Sequence, residues 1–137
     1  MATSADRNTS MQDGEVVVLT VAAAKTLYAG AMGAVNAAGD VLPAADAAGL
    51  KVVGRIEEYV DNSAGAAADK TVKLRRLRAF WYANSGTAAV TKAHLHGLAS
   101  IYIEDDETVS SATGTNSIIA GTAIQLDATF GVLIWFD

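Results

Sequence analysis

The stretch KTVKLRRLRAFWYA, residues 70 to 83, constrains the fold more than any other part of the chain. Val72 and Leu74 alternate with Lys73 and Arg75, the two-residue period of a strand with one face against a core. At Arg75-Arg76 the phase switches. From there Leu77, Ala79 and Trp81 alternate with Arg76, Arg78, Phe80 and Tyr82. Side chains on a strand alternate strictly, so a change of phase predicts a β-bulge or a corner at that step.

The rest of the chain reads in the same idiom. In EVVVLTVA, residues 15 to 22, Val16, Val18 and Thr20 point one way and Val17, Leu19 and Val21 the other, so the strand is expected to be covered on both faces. Thr26 to Val35 reads as a strand thinned by Gly30 and Gly33. Asn36 to Asp40 is a turn, and Val41 and Leu42 begin the return strand of a hairpin. The glycines mark bulges or close backbone approach. Residues 44 to 50 suggest a single helical turn ending at Gly49, and residues 51 to 60 a β-branched strand. Residues 61 to 69 and 84 to 91 are loops, and 98 to 104 is a strand followed by a polar turn region. SIIAGTAIQLD and FGVLIWFD close the chain as strands. Short strands at regular spacing predict an all-β fold, a small single-domain barrel or sandwich over residues 15 to 137. Residues 1 to 14 are polar and aperiodic and read as an extended N-terminal arm.

Composition narrows the function classes. A chain of 137 residues is one domain and buries roughly two-thirds of its unfolded surface. It has no cysteine, which excludes disulfides, thiolate zinc sites and cysteine nucleophiles. A net charge of −5 argues against a nucleic-acid binder. No apolar run approaches the roughly 20 residues that span a bilayer, and MATSADRNTSMQDG lacks the apolar core of a signal peptide. The expectation is a soluble protein made and used without secretion. Alanine inflates the 51% hydrophobic content, but it is mixed with glycine, valine and threonine in runs that do not read as helix.

Candidate chemistry is sparse. Gly30-x-x-Gly33 lacks the helix that a phosphate loop requires. Ala31-Met32-Gly33 is similar to the hairpin of biotin carriers, but Gly33 stands where their acceptor lysine follows the methionine. His94 and His96 would share one face of a strand and, with Glu104, Asp105 and Asp106, could hold a metal. Against this, two imidazoles without an established third ligand are an incomplete set, and a surface loop beside a solvated turn explains them as well. The expectation is no metal and no cofactor. No serine sits on a nucleophile elbow, and the carboxylates at 104 to 107 do not by themselves define an acid and a base, so the chain is not read as an enzyme.

Two patterns suggest contact with partners. Lys70, Lys73, Arg75, Arg76 and Arg78 are half of the ten cationic residues. They form either a solvated, charge-protected strand or a surface that meets an acidic partner. Trp81, Tyr82, Trp135 and Phe136 read first as core. Yet FGVLIWF is apolar on both faces, which suggests that Leu133, Trp135 and Phe136 meet a second subunit.

The order of these segments resembles the small capsid cement, or decoration, proteins of tailed bacteriophages. The resemblance rests on the ADRN arm, TLYAGAMGAVNAAGDVLPA, GLKVVGRIEEYVDNSAG, DKTVKLRRLRAFWYANS, SIYIEDDETVSS and the closing AGTAIQLD…GVLIWFD, and covers about residue 5 to the end. It implies a β-tulip-like barrel that sits on the outside of the virion as a homotrimer. Such a protein binds the major capsid protein after expansion and clamps adjacent subunits against internal DNA pressure, with no direct contact to nucleic acid or membrane. It implies that Asp6, Arg7, Asn8 and Thr9 lie in the capsid-binding arm, and that Lys73, Arg75, Arg76 and Arg78 mark a capsid-facing strand. That basic strand is denser than the family pattern. Alternatives are a tail or head-fibre component, a small metal-dependent enzyme using His94 and His96, and a carbohydrate-binding module with Trp81 and Tyr82 as a stacking platform.

Overall fold

The computed structural model describes residues 4 to 137, and the regular secondary structure is almost wholly β-strand. The first half supplies β1 (Val16–Thr20), β2 (Lys25–Leu27), β3 (Met32–Val35), β4 (Val41–Pro43), β5 (Lys51–Ile56), β6 (Val60–Asn62) and β7 (Thr71–Arg75). Five of these form a sheet in the order β1-β7-β5-β3-β4, and β2 pairs with β6 as a separate ribbon. A parallel bridge from Val21 to Val41 draws the two edges of the sheet toward each other. Inside lie Val21, Leu27, Val41, Ile56, Val72 and Leu74, all fully buried.

The second half is a closed barrel of β8 (Arg78–Asn84), β9 (Ile101–Ile103), β10 (Thr108–Ser110), β11 (Ile119–Asp127) and β12 (Gly131–Phe136). Its order is β10-β8-β12-β11-β9, and the β9–β10 pair closes the ring. The ring is closed by short pairings alone, since β8 meets β10 only at Ala83 and Asn84 and β11 meets β9 only at Ile119 and Gly121. Its core joins Ile101, Val109, Val132, Ile134 and Phe136 to Met32 and Ala34 of the first half, so the first half contributes to this cluster as well as holding its own.

The phase switch at Arg75-Arg76 is the corner between the halves. β7 ends at Arg75, Leu77 adopts a left-handed φ of 57°, and β8 starts at Arg78 in the other sheet. Two backbone bonds pin the corner: Arg76 N–H donates to the carbonyl of Glu15, and Leu77 N–H to that of Phe136. A second tie lies across the halves. The Asp46 carboxylate accepts the backbone N–H groups of Thr115 and Asn116, and these bonds hold its pKa below the ordinary carboxylate value.

Several expected elements take another form. Residues 26 to 35 are two strands, because the chain turns at Tyr28 to Ala31 with Gly30 at φ 93°. The hairpin turn is where the sequence puts it, with Asn36 Oδ1 accepting the N–H groups of Ala38 and Asp40. Residues 44 to 50 form no helical turn; Asp46 is held by the Thr115–Asn116 loop instead. Residues 51 to 60 split into β5 and the start of β6. Strand 98 to 104 shortens to Ile101–Ile103. The outer face of β1 is not covered, since Val18 is 58% exposed. Ser4 to Gly14 have no regular structure and are exposed throughout. Among the described residues, no helix is long and apolar enough to cross a membrane.

Candidate assembly surfaces

The cationic strand does not present a continuous basic face. Arg75 lies between two carboxylates, with Nη1 at 2.6 Å from Glu15 and Nε at 2.5 Å from Glu57. Glu15 also takes Arg78 at 3.1 Å, and Glu57 takes Arg55 at 2.8 Å. The hydrogen bonds that Arg75 donates to Glu15 and then to Glu57 raise its pKa further. The Arg55 guanidinium also sits 4.1 Å above the Phe80 ring. Arg75 and Arg78 are thus committed to the root of the N-terminal segment, and Lys73 stands exposed beside them. Arg76 leaves the strand at the corner. It is half-buried, and its Nε has no hydrogen-bond partner among the described residues.

β12 alternates cleanly. Val132, Ile134 and Phe136 point inward while Leu133 and Trp135 stay half-exposed on the outer face. Phe136 is therefore corrected as an interface residue: it is 2% exposed, and its ring packs against Tyr82 and Phe80. The Trp81–Tyr82 platform also dissolves, because adjacent strand residues face opposite ways. Tyr82 is buried, and its desolvated phenol has a strongly raised pKa. Trp81 faces outward, 5.9 Å from the exposed Phe130 ring and opposite Leu133.

His94 and His96 lie on a 3-10 segment, Lys92–Gly97, rather than on a strand, and His96 has φ 56°. His94 Nδ1 accepts the N–H of Thr91, so one ring is occupied in a local cap. The strand geometry that would align the pair is absent. Among the described residues no group of three or more His, Asp or Glu comes together in a way that could hold a metal. Asp106 is half-buried, and its pKa is raised by burial and then by Asp105.

A groove of about 830 Å³ lies between the two halves. Val53, Ile119 and Trp135 supply apolar lining, and Lys51 and Arg76 supply cations. Both side walls are strand edges without partners among the described residues. β5 pairs with β7 only at Arg55 and Ile56, so the β7-facing edge of Lys51 to Gly54 is unpaired. β11 pairs with β12 only from Thr122 onward, so Ile119 to Gly121 present an open edge on that side. Arg76, which also lines the groove, is bonded to Glu15 at the root of the N-terminal segment. Sequence patterning could not have found this groove, because open edges depend on where partner strands stop.

Asp6, Arg7, Asn8 and Thr9 stand exposed within the N-terminal segment. Fold and surfaces together define a small all-β protein whose distinctive features are strand edges, an exposed apolar barrel face and a free N-terminal segment. Comparison of the chain with models of protein families, with curated proteins and with solved structures found no match in any of them.

Proposed function

We propose that this is a structural protein that decorates the outer surface of a tailed-phage head and clamps adjacent major capsid subunits. The observation that carries the reading is the pairing of a compact all-β body with an exposed N-terminal segment, Ser4 to Gly14, rooted by Glu15 on two arginines. An extended segment binds by adding backbone hydrogen bonds and side-chain contacts to a neighbour's surface. Repetition over a lattice then multiplies a modest single-site affinity. Asp6, Arg7, Asn8 and Thr9 are the residues assigned to the shell contact, and the outer face of β12, with Leu133 and Trp135, is assigned to contact between copies. The order of segments quoted above supports the phage assignment.

Quantitative mass spectrometry of purified virions tests this reading. A copy number near that of the major capsid protein is expected, and a few copies per particle would move the chain to a tail or fibre role. Removing residues 2 to 12 should lower occupancy on expanded heads while leaving the circular dichroism spectrum unchanged. Unaltered occupancy would refute the role of the segment.

A further inference from the structure

We infer that the groove between β5 and β11 is a strand-acceptor site filled by the N-terminal arm of a second copy of this chain. The inference rests on the reading of that segment as a linking arm and identifies one place where it docks. The first argument is backbone chemistry. Unpaired strand edges at Lys51–Gly54 and Ile119–Gly121 line a single groove. Edge strands with open N–H and C=O groups are templates for another chain, and natural proteins usually block them with charge, proline or cover. Here Ile119 stands 55% exposed beside the open edge instead.

The second argument is the Arg76 Nε, buried in a groove-lining residue and without a partner among the described residues. A buried donor left unsatisfied is costly, and an incoming carbonyl or carboxylate would satisfy it. The third is the match of the arm. Eleven residues from Ser4 to Gly14 span roughly 36 Å when extended, and each groove edge of about three residues takes roughly 10 Å. The arm therefore seats part of its length and leaves the rest, with Asp6 to Asn8, to continue toward the shell. Met11 is 97% exposed, the highest exposure of any large apolar side chain among the described residues. On an extended chain Met11 and Asp13 share a face. That face offers a thioether to the apolar lining at Ile119 and Val53 and a carboxylate to Lys51 and Arg76. In the single chain the arm is exposed from Ser4 to Gly14, so that stretch does not fill its own groove. A neighbour's arm remains as the source, and exchange of arms would join copies into a closed ring or a network.

The test uses a synthetic peptide of residues 4 to 14 and a chain lacking residues 2 to 12. The peptide should shift backbone amide resonances at Lys51–Gly54 and Ile119–Gly121 and change the fluorescence of Trp135 in a Trp81→Phe background. In sedimentation velocity the full chain should self-associate. Met11→Ser and Ile119→Asp, both at exposed positions, should each weaken association at least tenfold. Peptide binding that shifts other amides, or no shift at millimolar peptide, overturns the proposal. So does a full chain that stays monomeric with its own groove amides protected, which would seat the arm in its own body. The two readings fail separately, because shell attachment is scored on expanded heads and groove filling on the isolated chain.

Discussion

Gly33→Ala should cost about 1–3 kcal/mol, the usual penalty for adding a methyl to a filled core. Gly33 lies in β3 opposite Gly54, where the pairing with β5 shifts register. A Cβ there would sit 2.5 Å from Leu74 Cδ2 and 3.1 Å from Ile56 Cγ1. Leu74 and Ile56 are both fully buried, so neither has open space to retreat into. Replacing glycine by alanine at an unstrained strand position would otherwise stabilise by about 0.4–1 kcal/mol through the unfolded chain. The contact is too short for that gain to prevail. Leu74→Ala alone should cost about 2–5 kcal/mol by emptying the same space. The double variant should cost less than the sum, because the new methyl enters the vacated volume, with a coupling of about 1 kcal/mol or more. Urea unfolding followed by tryptophan fluorescence gives all three values. For a chain of this size, each kcal/mol corresponds to about 3–5 °C in Tm. A neutral Gly33→Ala, or penalties that simply add, would refute the argument that this glycine exists for close approach.

Asp46→Ala should lower Tm at neutral pH by releasing the Thr115–Asn116 loop. Its folded pKa lies below the unfolded value of 3.8, so the contribution is present above that pH and lost as the pH falls through the folded pKa. The Tm curves of the two proteins should therefore converge in acid, and a constant gap would count against the linkage. Tyr82 should stay un-ionised when the pH passes the ordinary phenol value of 10, because burial raises its pKa. In an ultraviolet titration one tyrosine should ionise only on unfolding, stability should fall as the pH rises above 10, and Tyr82→Phe should remove that phase. Phe136→Ala should destabilise by about 3–5 kcal/mol, as truncation of a core aromatic does. If it instead altered only self-association, the placement of Phe136 in the core would be wrong.

Local chemistry was legible where it governs one element. Period-two alternation located β7 and β8, the Asn36–Asp40 turn was readable from its residues, and the phase switch marked the corner at Arg76. The misplaced elements share a cause. Alanine-rich residues 44 to 50 suited a helical turn by propensity, but Asp46 gains two backbone donors some 70 positions away. His94 and His96 aligned only on the assumption of a strand, and the 3-10 path with His96 at positive φ removes that assumption. FGVLIWF looked apolar on both faces because Leu133 and Trp135 are large, yet the strand buries only its alternate residues.

The basic strand shows why surfaces are harder to read than cores. A buried apolar side chain declares itself by period, whereas the role of an arginine depends on which carboxylate reaches it. Arg75 is matched by Glu57, 18 positions earlier, and by Glu15, 60 positions earlier. Once those pairs form, the cluster serves to fix Glu15, the residue from which the N-terminal segment departs. Glu15 is held by three contacts: Arg75, Arg78 and the backbone bond from Arg76. Ion pairs at partly exposed positions contribute little net stability. What three contacts on one residue do provide is direction, since they set the point and heading at which the chain leaves the body. A linking segment needs that, because its reach is useful only if its root is fixed relative to the surface that accepts it. On the proposed reading of that segment as a linking arm, Arg75 and Arg78 act through the arm they orient, and Arg76 is the member of the cluster left to meet a partner.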